Sequence, residues 1–119
     1  MKEFNLQTGK LGEEIAKDYL EKNGYKIIER NFKTKYAEID LVAEKDKELI
    51  IIEVRTKRGD LFGTPEESLD KRKLRKLWLN AQGYVSQARW QGSYRVDAVC
   101  IILKADNSID RLNHYPSII

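Results

Sequence analysis

Cysteine, histidine and proline are nearly absent from this sequence: one cysteine (Cys100), one histidine (His114) and two prolines in 119 residues. A single cysteine excludes a disulfide framework and any multi-cysteine zinc site. A single histidine excludes histidine-clustered metal sites and turns attention away from histidine-based catalysis. The longest apolar run, Ala98 to Leu103, has six residues, against the roughly 20 that a membrane-spanning helix needs. The N-terminal Met1-Lys2-Glu3-Phe4-Asn5 lacks the apolar run of a signal peptide. Repeats, low-complexity tracts and Pro/Gly/Ser-rich linkers are also missing, so no domain boundary is marked. The hydrophobic fraction, 41%, suits an ordinary core, and folding a chain this size buries about two-thirds of its unfolded surface. These features predict one domain over residues 1–119, mixed α/β, soluble and cytoplasmic, with no membrane partner.

Charged residues are plentiful, at 34%, yet the net charge is only +3. Their distribution is uneven. Lys71, Arg72, Lys73, Arg75, Lys76, Arg89 and Arg95 fall in one stretch with no acidic residue, which leaves the rest of the chain net acidic. A basic segment on a slightly acidic body is what phosphate contact requires, and it is equally what a solvated helix face looks like.

The periodicities order the elements. Thr8 is placed to cap a first helix, with Leu11, Ile15, Ala16, Tyr19 and Leu20 as its apolar stripe and Gly24 at its end. Tyr25 to Phe32 reads as a strand, and Ala37 to Glu44 with Glu48 to Lys57 as a hairpin. Thr64-Pro65-Glu66-Glu67 is a helix start, with proline at the first position, and this second helix runs to about Ala88. Trp78 lies at core spacing within it. Arg95 to Leu103 is a buried strand and Ile109 to Tyr115 a last one. The order α-β-β-β-α-β-β predicts a central sheet with helices packed on it.

The hairpin carries the chemistry. A two-residue turn at Asp46-Lys47 sets Asp40 opposite Glu53 and Glu38 opposite Arg55, all on one face, with Ile39, Leu41, Ile52 and Val54 on the other. Like charges directly opposed are destabilising, so a merely structural hairpin has little reason to place two carboxylates there. A hard divalent cation does, because Mg²⁺ takes one or two carboxylates and keeps water. Glu13, on the edge of the first helix stripe, leans toward the sheet as a third ligand or a water-mediated one. The competing view is an exposed face on which Arg55 and Lys57 neutralise the acids. Elsewhere, Gly59 to Gly63 is a loop entering the helix, and Trp90 and Tyr94 either stack on bases or pack at a corner. Asp97 pairs with Arg95, Cys100 is an inert buried thiol, and His114 lies on the surface.

Gly12-Glu13-Glu14-Ile15-Ala16, Glu38-Ile39-Asp40-Leu41, Ile52-Glu53-Val54-Arg55, Phe62-Gly63-Thr64-Pro65, Lys73 with Ala81, and Arg95-Val96-Asp97 resemble, in order and spacing, the YraN-like family of bacterial proteins. The resemblance covers roughly Gly9 to Leu112. It implies a restriction-endonuclease-like fold, similar to Holliday-junction resolvases: an α-β-β-β-α-β core with a mixed central sheet flanked by helices, here with one extra C-terminal strand. It also implies Asp40 and Glu53 as the metal-binding acids of the nuclease pattern, Glu13 as the helix glutamate of the resolvase-like branch, and Mg²⁺ or Mn²⁺ as cofactor. Arg55 stands where lysine is usual. Arginine keeps its proton in a protein, so Arg55 is left to stabilise charge, and Lys57, two residues on, is the candidate for the missing role.

The leading expectation is therefore a metal-dependent endonuclease acting on DNA, branched or damaged DNA included. Its catalytic set is Glu13, Asp40, Glu53, Arg55 and Lys57, and the basic segment holds the phosphate backbone. A homodimer would serve symmetric cutting of two strands. Two alternatives stay open: a nucleic-acid-binding module that has kept the fold without turnover, and a scaffold whose acidic face pairs with a basic partner in a DNA-processing assembly.

Overall fold

The computed structural model describes residues 2–119, with side chains from Leu6 onward. Helix α1 (Lys2–Lys22) leads into strands β1 (Lys26–Lys33), β2 (Glu38–Lys45) and β3 (Glu48–Arg58). A 3₁₀ turn (Glu66–Ser68) precedes helix α2 (Lys71–Ala88), which is followed by β4 (Tyr94–Leu103) and β5 (Ile109–Tyr115). The strands form one five-stranded sheet in sequential order, with β3 and β4 parallel and the other neighbours antiparallel. This is the mixed sheet flanked by helices that the resemblance implied, and α2 is the crossover between its parallel strands.

Both faces of the sheet are covered. Ala16 and Leu20 of α1 pack with Leu41, Ala43, Ile50, Ile52, Val54, Val99 and Ile101. On the other face Leu77, Ala81 and Tyr84 of α2 pack with Val42, Leu49, Ile51 and Val96. Consecutive residues of β3 thus serve opposite helices, which is why this strand reads as an unbroken apolar run. No helix among the described residues is long and apolar enough to cross a membrane.

The hairpin register is the one expected. Leu41 pairs with Ile52 and Lys45 with Glu48, around a turn whose Asp46 and Lys47 both have positive φ (51° and 66°), the two-residue type that matches strand twist. Ile39 departs from its expected face: it packs in the α2 cluster rather than with Leu41. The cause is that the β2–β3 ladder ends at Leu41↔Ile52, which frees the strand before Leu41 to rotate.

Other boundaries differ for physical reasons. Helix α1 begins well before Thr8, whose buried hydroxyl accepts from Arg58 Nη2 at 3.2 Å rather than capping the helix. The Thr64-Pro65 start yields only the 3₁₀ turn, because Leu69 is non-helical (φ −91°, ψ 59°). The cap of α2 is Asp70, whose carboxylate accepts from Lys73 N. Trp78 is 41% exposed and stacks on Tyr94 instead of entering the core. Trp90 packs against the α2 cluster and donates to Ser93 O at 2.9 Å, which is corner packing.

His114 is half-buried rather than on the open surface, because the α1 face contains a polar network. Asp97, fully buried, accepts from Arg95 Nε at 2.9 Å, from His114 Nε2 at 2.7 Å and from Ser117 N at 3.0 Å. The other ring nitrogen of His114 meets Tyr19 OH at 3.2 Å.

Candidate functional site

The site forms where β2 parts from β3. Beyond Leu41 the ladder stops, and Asp40 Oδ2 accepts the Val54 N–H at 2.8 Å. A carboxylate oxygen thereby replaces the carbonyl that Ile39 would offer in a continued ladder. Glu53, one residue from Ile52, points to the α2 face of β3 and is only 7% exposed. The two carboxyl groups lie near enough for each charge to act on the other. Burial, reinforced by the charge of Glu53, pushes the Asp40 carboxyl from 3.8 up to about 8, because a desolvated pair of like charges cannot both ionise cheaply.

Cations complete the centre. Arg55 Nη1 lies 3.9 Å from Glu53 Oε1, and Arg55 Nε donates to Ser68 Oγ at 2.8 Å. Ser68 in turn donates to Pro65 O at 2.6 Å, so the 3₁₀ turn fixes the direction of the guanidinium. From α2, Lys73 Nζ comes within 3.6 Å of Glu53 Oε2.

Glu13 approaches from α1, and Gly12 is what lets the helix come so near. A Cβ at Gly12 would lie 1.8 Å from Thr56 Oγ1, a distance no side chain tolerates. Glu13 Oε1 accepts from Asn31 Nδ2 at 2.6 Å, and the same amide donates to Glu38 Oε1 at 3.1 Å. Burial raises the Glu13 pKa, the Asn31 bond opposes that, and the charges of Asp40 and Glu38 add to the rise. The expected Glu38–Arg55 pairing is not formed: with the ladder ended, Glu38 turns to Asn31 and Arg55 to Ser68.

Among the described residues no three His, Cys, Asp or Glu side chains converge into a complete metal cage. Glu13 thus stands one step back from the Asp40–Glu53 pair. That pair could hold a hard divalent cation with a largely aqueous shell, in competition with Arg55 and Lys73, which already face Glu53.

The remaining predicted residues separate. Lys57 turns its Nζ toward Phe62 O at 3.5 Å, into the loop and away from the acids. Lys71, Arg72, Arg75 and Lys76 are exposed in the first turns of α2, where no acidic residue occurs. Cations at a helix N-terminus oppose its dipole, so this arrangement favours an anion arriving from outside. Arg89 sits at the far end of α2, in the left-handed region (φ 54°). Arg95 lies on the α1 face, ion-paired to Glu48 at 2.8 Å and to Asp97 at 2.9 Å and donating to Tyr25 OH at 3.0 Å. The seven basic residues are close in sequence without forming one stripe. Asn31 and Ser68 escaped sequence reading. Asn31, in the left-handed region (φ 49°) within a strand, is of a type depleted in strands, and that was the available signal. Ser68 carried none.

Comparison with known proteins is consistent along the chain. The family model for Uncharacterised protein family UPF0102 matches residues 12–101. A UPF0102 protein of Syntrophomonas wolfei is 43% identical over 112 residues, 93% of this chain and 96% of that protein. One from Persephonella marina is 41% identical, covering 83% of this chain and 86% of its own length. A third, from Caldanaerobacter subterraneus, is 38% identical over 96% of both. The matched span opens at Gly12, beside Glu13, and takes in Asp40, Glu53, Arg55 and Lys73, so this chain belongs to Uncharacterised protein family UPF0102, the YraN-like family its motifs resemble.

Proposed function

We propose that this chain is a metal-dependent endodeoxyribonuclease that hydrolyses phosphodiester bonds with Mg²⁺ or Mn²⁺, with branched or damaged DNA as the substrate class. The observation that carries this reading is the Asp40–Glu53 pair: a half-buried and a buried carboxyl group set side by side, with the Asp40 pKa displaced to about 8. Strongly displaced carboxyls with a specific charge partner cluster at functional sites, and Asp40 stays displaced even with Arg55 and Lys73 beside its neighbour.

Asp40 and Glu53 would hold the cation, and Glu13, with Asn31 behind it, would orient a water at its edge. When bound, such an ion lowers the pKa of a coordinated water and stabilises a departing oxygen. Arg55, aimed by Ser68, donates to charge developing on the attacked phosphate. Lys71, Arg72, Arg75 and Lys76 hold the DNA backbone, and Arg89 extends that contact along α2. Arg95, engaged with Glu48 and Asp97, is a structural residue in this reading. Two copies acting together would cut both strands of a symmetric junction.

The test is a cleavage assay on duplex, single-stranded and four-way-junction DNA with Mg²⁺ or Mn²⁺, run beside the Asp40→Asn variant. Metal-dependent cleavage lost in a folded variant supports the assignment, and the preferred substrate names its class. Cleavage unchanged in the variant contradicts it. Salt-sensitive binding without cleavage, with a log–log slope near −0.9 per phosphate, would point to a non-catalytic DNA-binding module. Absence of both would leave a protein-interaction scaffold.

A further inference from the structure

Glu53 is faced by two cations, one per carboxylate oxygen. Arg55 reaches Oε1 from the same strand, and Lys73 reaches Oε2 at 3.6 Å from α2. The three basic residues near the acids are differently engaged. The Arg55 Nε is bonded to Ser68, and Lys57 points into the loop at Phe62 O. Lys73 is the lysine at the acids themselves. Its backbone is fixed by the Asp70 cap at 2.9 Å, and its side chain is 32% exposed against 8% for Glu53.

The placement of Lys73 follows from helix geometry. Leu77, Asn80, Ala81 and Tyr84 form the buried stripe of α2, and Lys73 precedes Leu77 by one turn on that stripe. A core-facing position that would ordinarily be apolar thus carries a lysine whose stem runs along the helix–sheet seam and whose ammonium ends at Glu53. Lys71, Arg72, Arg75 and Lys76 point outward instead. A lysine in the first turn also works against the helix dipole, so neither helix stability nor solubility accounts for its position.

We infer that Lys73 is the lysine of the site, supplied by α2 in place of the strand lysine that Arg55 replaces. Its ammonium has three donors: it keeps one on Glu53 and presents another to a non-bridging oxygen of the attacked phosphodiester. Its role is to donate hydrogen bonds, with no proton transferred. Lys73 thereby becomes a catalytic residue rather than one more backbone contact, and Arg55 its partner in charge stabilisation. This assignment rests on the nuclease reading above.

The experiment compares wild type, Lys73→Met, Lys73→Arg and Lys104→Met, an exposed-lysine control outside the site. The first readout needs no turnover: calorimetric titration with Mn²⁺ alone. Removing a cation 3.6 Å from Glu53 should tighten Mn²⁺ binding about tenfold in Lys73→Met, with no change in Lys104→Met. Unchanged affinity would show that Lys73 is not at the acids and overturn the inference. The second readout is single-turnover cleavage at saturating DNA and Mn²⁺. Lys73→Met should lose about 100-fold, as loss of one transition-state donor does, with Lys73→Arg recovering part of it. Wild-type cleavage matched by Lys73→Met overturns the role of Lys73 alone, whereas wild type that never cleaves overturns the nuclease reading and this role together. Should Lys73→Met fail to fold, Lys73→Gln replaces it in both readouts.

Discussion

Two aspartates of the same sheet, half-buried Asp40 and buried Asp97, have opposite fates. Asp97 is fully enclosed on the α1 face. Burial there works to raise its pKa, but bonds from His114, Arg95 and Ser117 N outweigh it and hold the carboxyl below its usual 3.8. Asp40 receives one backbone N–H, from Val54, and a weaker pull from the Lys73 charge, and these do not offset burial and the Glu53 charge, which push it up to about 8. The desolvation is common to both and the partners are not. Asp97 is satisfied by the chain itself and ties β4 to β5 and the C-terminal segment. Asp40 is left with a demand that the described protein atoms do not meet, which is the physical mark of a place for something else.

The largest expected effect lies on the satisfied side. Asp97→Ala leaves Arg95, His114 and the Ser117 N–H without their shared acceptor, and should cost about 3–5 kcal/mol in urea unfolding. A loss under about 1 kcal/mol would show that the network is ornamental and break the contrast.

Next comes metal affinity against pH. A cation at Asp40–Glu53 must displace the Asp40 proton below about pH 8. Mn²⁺ affinity should therefore rise about tenfold per pH unit between pH 6 and pH 8, then level off. A flat profile across that range would place the ion elsewhere.

The two aspartates should also tilt stability in opposite directions. The folded pKa of Asp40 lies above its unfolded 3.8. Its favourable contribution is therefore complete below pH 4 and disappears as pH rises through about 8. That of Asp97, whose folded pKa is depressed, is present above pH 4 and is lost on further acidification. Asp40→Asn keeps an acceptor for Val54 N and removes the repulsion, so at pH 8.5 the metal-free variant should be more stable than wild type by on the order of 1–2 kcal/mol, measured by urea unfolding. A less stable variant would mean that Asp40 is a structural aspartate like Asp97.

The smallest effect concerns Glu13. Held by Asn31, one step from the pair, it should weaken Mn²⁺ binding only a few-fold as Glu13→Gln, against a loss of about 100-fold or more for Glu53→Gln. Equal losses would make Glu13 a direct ligand.

Much of this was legible in the sequence, because strand periodicity and turn chemistry act locally. Asp46-Lys47 set the hairpin register as far as Leu41↔Ile52, which leaves Asp40 and Glu53 as the first residues beyond the ladder. Cys100, in an unbroken apolar run, is buried with its thiol pushed up to about 12 by desolvation. What stayed hidden depends on contacts between distant segments. Local spacing gave no sign that the ladder ends at Leu41, which rotates Ile39 and releases Glu38. Arg95 counted as one of seven cations until Glu48 and Tyr25, from remote elements, claimed it. Lys73 was marked beside Ala81 only through the motif resemblance, because its approach to Glu53 is a contact between α2 and β3 that local spacing does not show. His114 is drawn inward for the same kind of reason: its partners, Asp97 and Tyr19, come from β4 and α1.

The central claim is that Asp40–Glu53 is a cation site whose proton is displaced on loading, and calorimetric titration of Mn²⁺ into the metal-free protein at pH 7 tests it most directly. Run in two buffers of different ionisation enthalpy, the titration counts protons. The account predicts one ion per chain and close to one proton released with it, as expected about one pH unit below the Asp40 pKa, with both lost in Asp40→Asn. Binding without proton release, or binding that Asp40→Asn leaves intact, would contradict it.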